Sequence, residues 1–345
     1  MVTCLQGLPP PQEIFDLVVR IIKSRTFLEI AIFPGFLNVM LSAAFLTWLE
    51  RKVIARVQMR IGPLYAGISG ILQPIADGVK LMFKEMIFPE LADLKLLMAC
   101  ALGLMLLAFA PVAAIPFGEG LVIANMDIGL IYVFAVISLF PSVILLIGWA
   151  SNSKYPFLGG LRSLFQQVAY EIPMWLSVLG IVMLTGTLNL TEIVKAQERL
   201  WFVVPQILGF AVFFTAVLAE LERTPFDLPE AETELVMGWM TELSGVPFML
   251  GFLAMYTKLY VMSALITTFF LGGWYGPSLL PQPVWFVVKT FLVASAMVVI
   301  RGTFPRVRVD ILLRAGWTRL LLVALANIFV TVLLIWLGVA WIWRI

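Results

Sequence analysis

Seven of the chain's 21 acidic residues fall within one stretch of 23: Glu220, Glu222, Asp227, Glu230, Glu232, Glu234 and Glu242. Carboxylates crowded beside a low-dielectric region cannot all stay ionised, so some hold protons near working pH and can pass or release them. The competing reading is a solvated acidic loop with ordinary helix caps, in which Asp227, ahead of Pro229, caps a helix N-terminus.

A basic stretch forms the second constellation. Glu50, Arg51, Lys52, Arg56, Gln58 and Arg60 lead into a Gly62-Pro63 break, so the backbone turns where polar donors cluster. Basic residues at the end of an apolar segment also serve as topological anchors. Further on, Asp77, Lys80 and Lys84 share one helical face by their i, i+3 and i+4 spacing. This pattern also fits a plain amphipathic interface helix. A third basic run, Arg301 to Asp310 and including Arg306, can pair with the acidic stretch or dock an acidic partner or lipid headgroups.

Isolated charges in or at the end of apolar segments form the third class: Glu171, Glu220, Glu222, Lys258 and Lys289. An ionisable group at membrane depth costs at least about 2.5 kcal/mol unless it faces protein or water. Lys289, near a segment's outer end, reads as an anchor. The chain has no histidine and two cysteines, Cys4 and Cys100, without motif spacing. That argues against histidine-held haem, a histidine relay, and an iron–sulfur or zinc site held by this chain alone. Carboxylates, Lys, Arg, Tyr and water are left to carry proton chemistry, with no metal.

The elements that must position these groups are membrane helices. The 345 residues are 61% hydrophobic and 13% charged, against roughly 45–50% and about 25% in soluble domains. Windows of about 19 residues give eight spans, near Leu28–Leu49, Leu96–Pro116, Ile128–Ala150, Phe165–Leu188, Phe202–Leu221, Gly245–Leu271, Val284–Ile300 and Arg319–Ile342. The fold class is therefore all-α and multi-pass, a single integral membrane domain over 1–345. Its N-terminal segment (1–27) ends in a short amphipathic interfacial helix, Glu13–Phe27, with no cleaved signal peptide. Loops cover 50–95, with Ile68–Lys84 lying along the interface, and 222–244.

An even span count puts both termini on one side. Of the 23 Lys and Arg, fifteen fall in the loops after the odd-numbered spans and six at the termini and other loops. The positive-inside rule then places the charged, Gly- and Pro-rich loops in the cytoplasm of an inner membrane and both termini outside. The net charge of +2 points to no nucleic-acid partner.

Taken in order, these stretches resemble a family of NADH-quinone oxidoreductase subunits, namely the complex I membrane subunit that adjoins the peripheral arm. The likeness runs from about Trp48 to Trp317. It is carried by Glu50-Arg51-Lys52, Gln58 to Pro63, Ala76-Asp77, Lys84-Glu85, Gly148 to Tyr155, Tyr170-Glu171, Pro225 to Glu232, Glu234-Leu235, Gly272-Gly273-Trp274, Arg301 to Asp310 and Gly316-Trp317. The resemblance implies a quinone substrate whose tail enters between the first span, the interfacial helix and the sixth span. It implies that Arg51, Gln58, Arg60, Asp77, Lys80, Arg301 and Arg306 line or brace that tunnel. Glu171, Glu220, Asp227, Glu230, Glu232, Glu234 and Glu242 would form a proton relay. The implied partners are peripheral-arm quinone-site subunits carrying iron–sulfur clusters, small membrane subunits, antiporter-like subunits and lipid. The chain itself would bind no cofactor and hold no redox centre.

Two positions depart from the family pattern. Glu242-Leu243-Ser244-Gly245 lacks the tyrosine many bacterial relatives carry, and Ala254-Met255-Tyr256 lacks their glutamate, with Lys258 nearby. The departures point to a divergent branch, which includes archaeal-type enzymes fed by deazaflavin or ferredoxin. Two other functions compete: an anchor of a related hydrogenase or ferredoxin-driven pump without quinone, and an independent ion-coupled transporter. The one-sided charge and the missing inverted repeat argue against the transporter.

Overall fold

The computed structural model describes residues 25–229, 232–277 and 279–338. Most of the expected interfacial helix Glu13–Phe27 lies outside them, as do Glu230 and the end of the expected last span. Among the described residues the chain is helical, with seven helices long and apolar enough to cross a membrane and one shorter apolar helix. It is an all-α multi-pass membrane protein.

In chain order, α1 is Arg25–Ala31 and α2 Phe36–Val57, which continues past the expected span end at Leu49. After a Gly-Pro turn, α3 (Gln73–Phe83) buries none of its residues and presents Ile75, Val79, Met82 and Phe83 outward, which fits a helix lying in the interface plane. Asp93 caps α4 (Leu94–Phe109), accepting from the Leu96 amide at 3.2 Å. Then come α5 (Gly129–Ala150), α6 (Lys154–Thr185) and the short α7 (Leu190–Lys195). They are followed by α8 (Ile207–Glu220), α9 (Glu232–Leu235), α10 (Val246–Phe270) and α11 (Gln282–Thr303). Last are α12 (Val309–Arg314) and α13 (Leu321–Trp336), joined by one π-helical stretch.

The core is built on α10, which packs against α2, α4 and α11, and on α6, which packs against α5, α8 and α13. Every residue of α10 from Tyr256 to Phe270 is buried. A helix enclosed on all sides needs no amphipathic stripe. Three of its hydroxyls bond locally: Ser263, Thr267 and Thr268 each donate to the carbonyl four residues back, at 2.7–3.0 Å.

The fifth span differs from its sequence reading. Phe202–Leu221 contains a helix of 14 residues only, Ile207–Glu220. At 1.5 Å per residue it reaches about 21 Å, short of the roughly 30 Å hydrocarbon core. The remaining depth is crossed by an irregular segment tied to protein. Gln197 Nε2 donates to the Thr268 carbonyl (2.8 Å), its Oε1 accepts from the Gly272 amide (2.9 Å), and the Val203 amide donates to the Phe270 carbonyl (3.0 Å). Non-helical backbone at depth persists where such partners replace water. A buried clamp on the same side docks α13: Gln206 bridges Asn327 and Thr331 at 2.7 Å each, and Asn327 Oδ1 accepts from the Gly209 amide at 3.0 Å.

Lys289 is no snorkelling anchor. It is buried, donates to the carbonyls of Leu271, Gly273 and Tyr275, and lies 4.2 Å from the Trp201 ring centre. Its ammonium thus closes the C-terminal end of α10 onto the following turn.

Candidate functional site: a buried charge axis beside a cavity

Two sites meet at the end of α2, because neighbouring residues there point to different elements. Thr47 and Arg51 face a cavity of about 390 Å³ closed by α3, with Asp77 and Lys80, and by α10, with Phe248 and Phe252. Lys84 completes the polar side. That volume is within the range of small-molecule pockets, and the lining combines apolar walls with a few convergent polar groups. Arg51 pairs with Asp77 at 2.5 Å, and Gln73 Nε2 holds the other Asp77 oxygen at 3.0 Å.

Glu50, one residue earlier, turns into the protein and is 4% exposed. It receives Arg223 and Arg301, from the turn after α8 and the end of α11. Three elements far apart in sequence are thereby joined by one carboxylate. Arg223 also lies 4.6 Å from the Tyr256 ring centre, and Thr224 Oγ1 donates to the Arg301 carbonyl at 2.9 Å.

The charge axis continues from Arg223 to its neighbour Glu222, whose backbone takes a left-handed conformation (φ 53°). A non-glycine residue pays roughly 1–2 kcal/mol for that. Here it turns the buried carboxylate toward three donors: Ser163, Gln167 (2.5 Å) and Trp239 Nε1 (3.3 Å). Gly159 makes this possible, since a Cβ there would sit 2.7 Å from the Trp239 amide nitrogen and push the tryptophan off α6. Gln167 accepts from Lys258 at 3.1 Å, and Lys258 pairs with Glu220 at 2.8 Å. Glu171 interacts electrostatically with both Glu220 and Lys258 and receives the Ser138 hydroxyl. Ser138 and Glu171 stand on α5 and α6, each just before an internal proline, Pro141 and Pro173.

The expected site residues are therefore divided by the fold. Arg51, Asp77 and Lys80 line the cavity. Gln58 and Arg60 pair with each other (2.7 Å) on an exposed turn, where Arg60 and Arg51 edge a separate hollow. Arg301 belongs to the buried ion triad. Arg306 sits in a third hollow on the loop face, 3.4 Å from Glu234. Among the acids, Glu171 and Glu220 are in the axis. Glu232 opens α9 on the loop face. Glu234 is a surface group: Arg162 at 2.5 Å, then Arg306, hold its carboxyl below the ordinary range. Asp227 is half-buried on the turn after α8, and the residues its side chain would cap include Glu230 and Ala231, outside the described ones. Glu242 is half-buried on the turn before α10 and takes no part in the axis. Sequence reasoning gave Ser163, Gln167 and Arg223 no part in the site, and it marked Glu50, Glu222 and Lys258 as charged groups without assigning them to the tunnel or the relay. For Lys258 and Glu222 the signal was charge in or beside a span; that Glu50 and Arg223 pair has no local signal.

These features define a multi-pass α-helical membrane protein whose core carries connected ionisable groups beside an apolar-walled cavity. The chain belongs to the NADH dehydrogenase family, whose model matches residues 30–332. It is 46% identical over 297 residues to a NADH-quinone oxidoreductase subunit of Dehalococcoides mccartyi strain CBDB1, covering 85% of this chain and 82% of that one. It is 45% identical over 309 residues to a NADH-quinone oxidoreductase subunit of Syntrophobacter fumaroxidans, covering 87% and 93%. With NADH-ubiquinone oxidoreductase chain 1 of Chondrus crispus it shares 43% over 308 residues, covering 88% and 94%.

Proposed function

We propose that this chain is the membrane subunit of a proton-pumping, complex I-type oxidoreductase, in which it forms part of the quinone path and passes the effect of quinone reduction to a proton relay. One observation carries the reading: the cavity and the charge axis share the last turns of α2, through Arg51 and Glu50. Two-electron reduction of a quinone creates negative charge, or demands protons, in a low-dielectric cavity. The Arg51–Asp77 pair feels that change first. A shift of α2 relayed through Glu50 then acts on Arg223 and the adjoining Glu222. Coupling arises because two states of one connected network differ in energy when the quinone is reduced.

The chain supplies no redox centre in this reading. Electrons arrive from iron–sulfur clusters in peripheral-arm subunits, and protons leave toward small and antiporter-like membrane subunits. The loop face carrying Arg60, Glu234 and Arg306 is cytoplasmic and meets the peripheral arm, and both termini lie on the other side. The complex oxidises a reduced donor at a site formed by other chains.

Ala44→Trp fills the cavity from the α2 side. In the purified complex, the reading predicts a raised KM for a long-tailed quinone with assembly intact. Unchanged kinetics would remove the cavity from the quinone path, and a complex that reduces no quinone would favour a ferredoxin- or hydrogenase-type role.

A further inference from the structure

The buried axis holds one ammonium among three carboxylates. Lys258 Nζ donates to Glu220 Oε1 (2.8 Å), to the Glu220 carbonyl (2.9 Å) and to Gln167 Oε1 (3.1 Å), so all three of its protons are used. Phe140 closes the site 4.0 Å away. The amide end of Gln167 turns the other way, reaching Glu222 Oε1 at 2.5 Å and Ser163 Oγ at 2.9 Å. Gln167 is thus a one-residue bridge, with its oxygen on the ammonium and its NH₂ on the second carboxylate. The charged groups that interact with Lys258 are Glu171 of α6, Glu220 of α8 and Glu222 of the following turn.

One cation cannot neutralise three carboxylates where an unpaired charge is expensive. The position of the ammonium therefore decides which carboxylate stays ionised. The flexible four-carbon stem of lysine lets its head move between neighbouring acceptors.

Building on the relay reading above, we propose that Lys258 is a mobile counter-charge. Its ammonium pairs with Glu220 in the state seen here, and swings across Gln167 to Glu222 when a proton passes from Glu222 to Glu220. The O–H bond at Glu222 breaks, one forms at Glu220, and the ammonium keeps its three N–H bonds. The net charge of the cluster is unchanged. Lys258 is a positioning residue and never carries the transferred proton.

The test is infrared difference spectroscopy of the intact complex on quinone reduction, alongside proton-coupled turnover. The native protein should show a paired loss and gain of protonated-carboxyl C=O bands. Lys258→Arg, which keeps the charge, should retain the pair and most of the turnover. Lys258→Gln should lose the pair and about tenfold of coupled turnover, with quinone KM unchanged; a tenfold loss corresponds to about 1.4 kcal/mol. If Lys258→Gln does not assemble, Gln167→Leu removes the bridge without removing a charge, and the same loss of the pair is expected. A paired band that persists without the lysine, or without the bridge, overturns the proposal. The relay reading has its own arm: Glu220→Gln and Glu222→Gln with full coupled turnover would overturn it whatever Lys258 does.

Discussion

Glu50 and Arg51 are chain neighbours that serve two sites: Arg51 closes the cavity wall with Asp77, while Glu50 holds Arg223 and Arg301 in the protein interior. With 3.6 residues per turn, adjacent residues on a helix point about 100° apart, so a single turn of α2 can face both. The proposed coupling rests on that arrangement.

Removing the charge at Glu50 tests the triad. Glu50→Gln leaves two guanidinium groups near a carboxamide that cannot neutralise them, and breaking a buried pair costs roughly 3–5 kcal/mol. The complex carrying it should assemble poorly or unfold at markedly lower temperature by differential scanning calorimetry. A thermal transition equal to that of the native complex would show that the triad is not holding α2, α11 and the α8 turn together.

The cavity pair should behave as a unit. Arg51→Ala and Asp77→Ala should each raise the apparent KM for quinone, and the double variant should fall short of the product of the two effects, because the groups are in contact. A fully multiplicative double variant would separate Arg51 from Asp77 in function.

The surface pair predicts a pH dependence. Arg162 holds the Glu234 carboxyl below its usual range, so the folded value lies under the unfolded one, about 4.3. The contact contributes fully above that unfolded value and is lost as pH falls through the folded value. Because Glu234 is half exposed, its contribution stays within about 1 kcal/mol. The protection of the Glu232–Leu235 amides, measured as the intrinsic exchange rate at each pH divided by the observed rate, should therefore fall modestly on acidification in the native protein. Glu234→Gln should show the lowered protection already at neutral pH; protection unaffected by the substitution would remove the pair from loop docking.

The clamp on the far side makes a structural prediction. Asn327→Leu takes the partner from Gln206 Oε1 and from the Gly209 amide in the interior, and an unsatisfied buried group costs about 1–3 kcal/mol. Proteolysis should then cut more readily between Arg314 and Leu321, where α13 is tethered, while the α4–α5 hairpin keeps its resistance. Equal susceptibility in both regions of the native and variant proteins would argue that α13 is held by apolar packing alone.

What the sequence showed, and what it did not, follows from the range of each interaction. Span number follows from hydropathy, a local property, and the shared face of Asp77, Lys80 and Lys84 follows from helical spacing; all three line the cavity. Charge inside a span marked Glu171, Glu220 and Lys258. The pairing of Glu50 with Arg223 and Arg301 joins residues 173 and 251 positions apart, and no local pattern announces it. Ser163 and Gln167 carry no mark in the sequence, because only the folded helix aims them at Glu222. The fifth span read too long because Phe202–Gln206 is as apolar as a helix, yet its backbone is held by side chains of distant elements.

The most direct test of the central claim is proton translocation per quinone reduced in proteoliposomes of the complex carrying Glu220→Gln. Relay through this carboxylate predicts coupled turnover lowered about tenfold or more, a change of about 1.4 kcal/mol or more, with quinone KM within about twofold of the native value because an interaction outside the binding step has been removed. Full coupled turnover and native stoichiometry would contradict it, and would leave the Lys258–Glu220 pair as scaffolding.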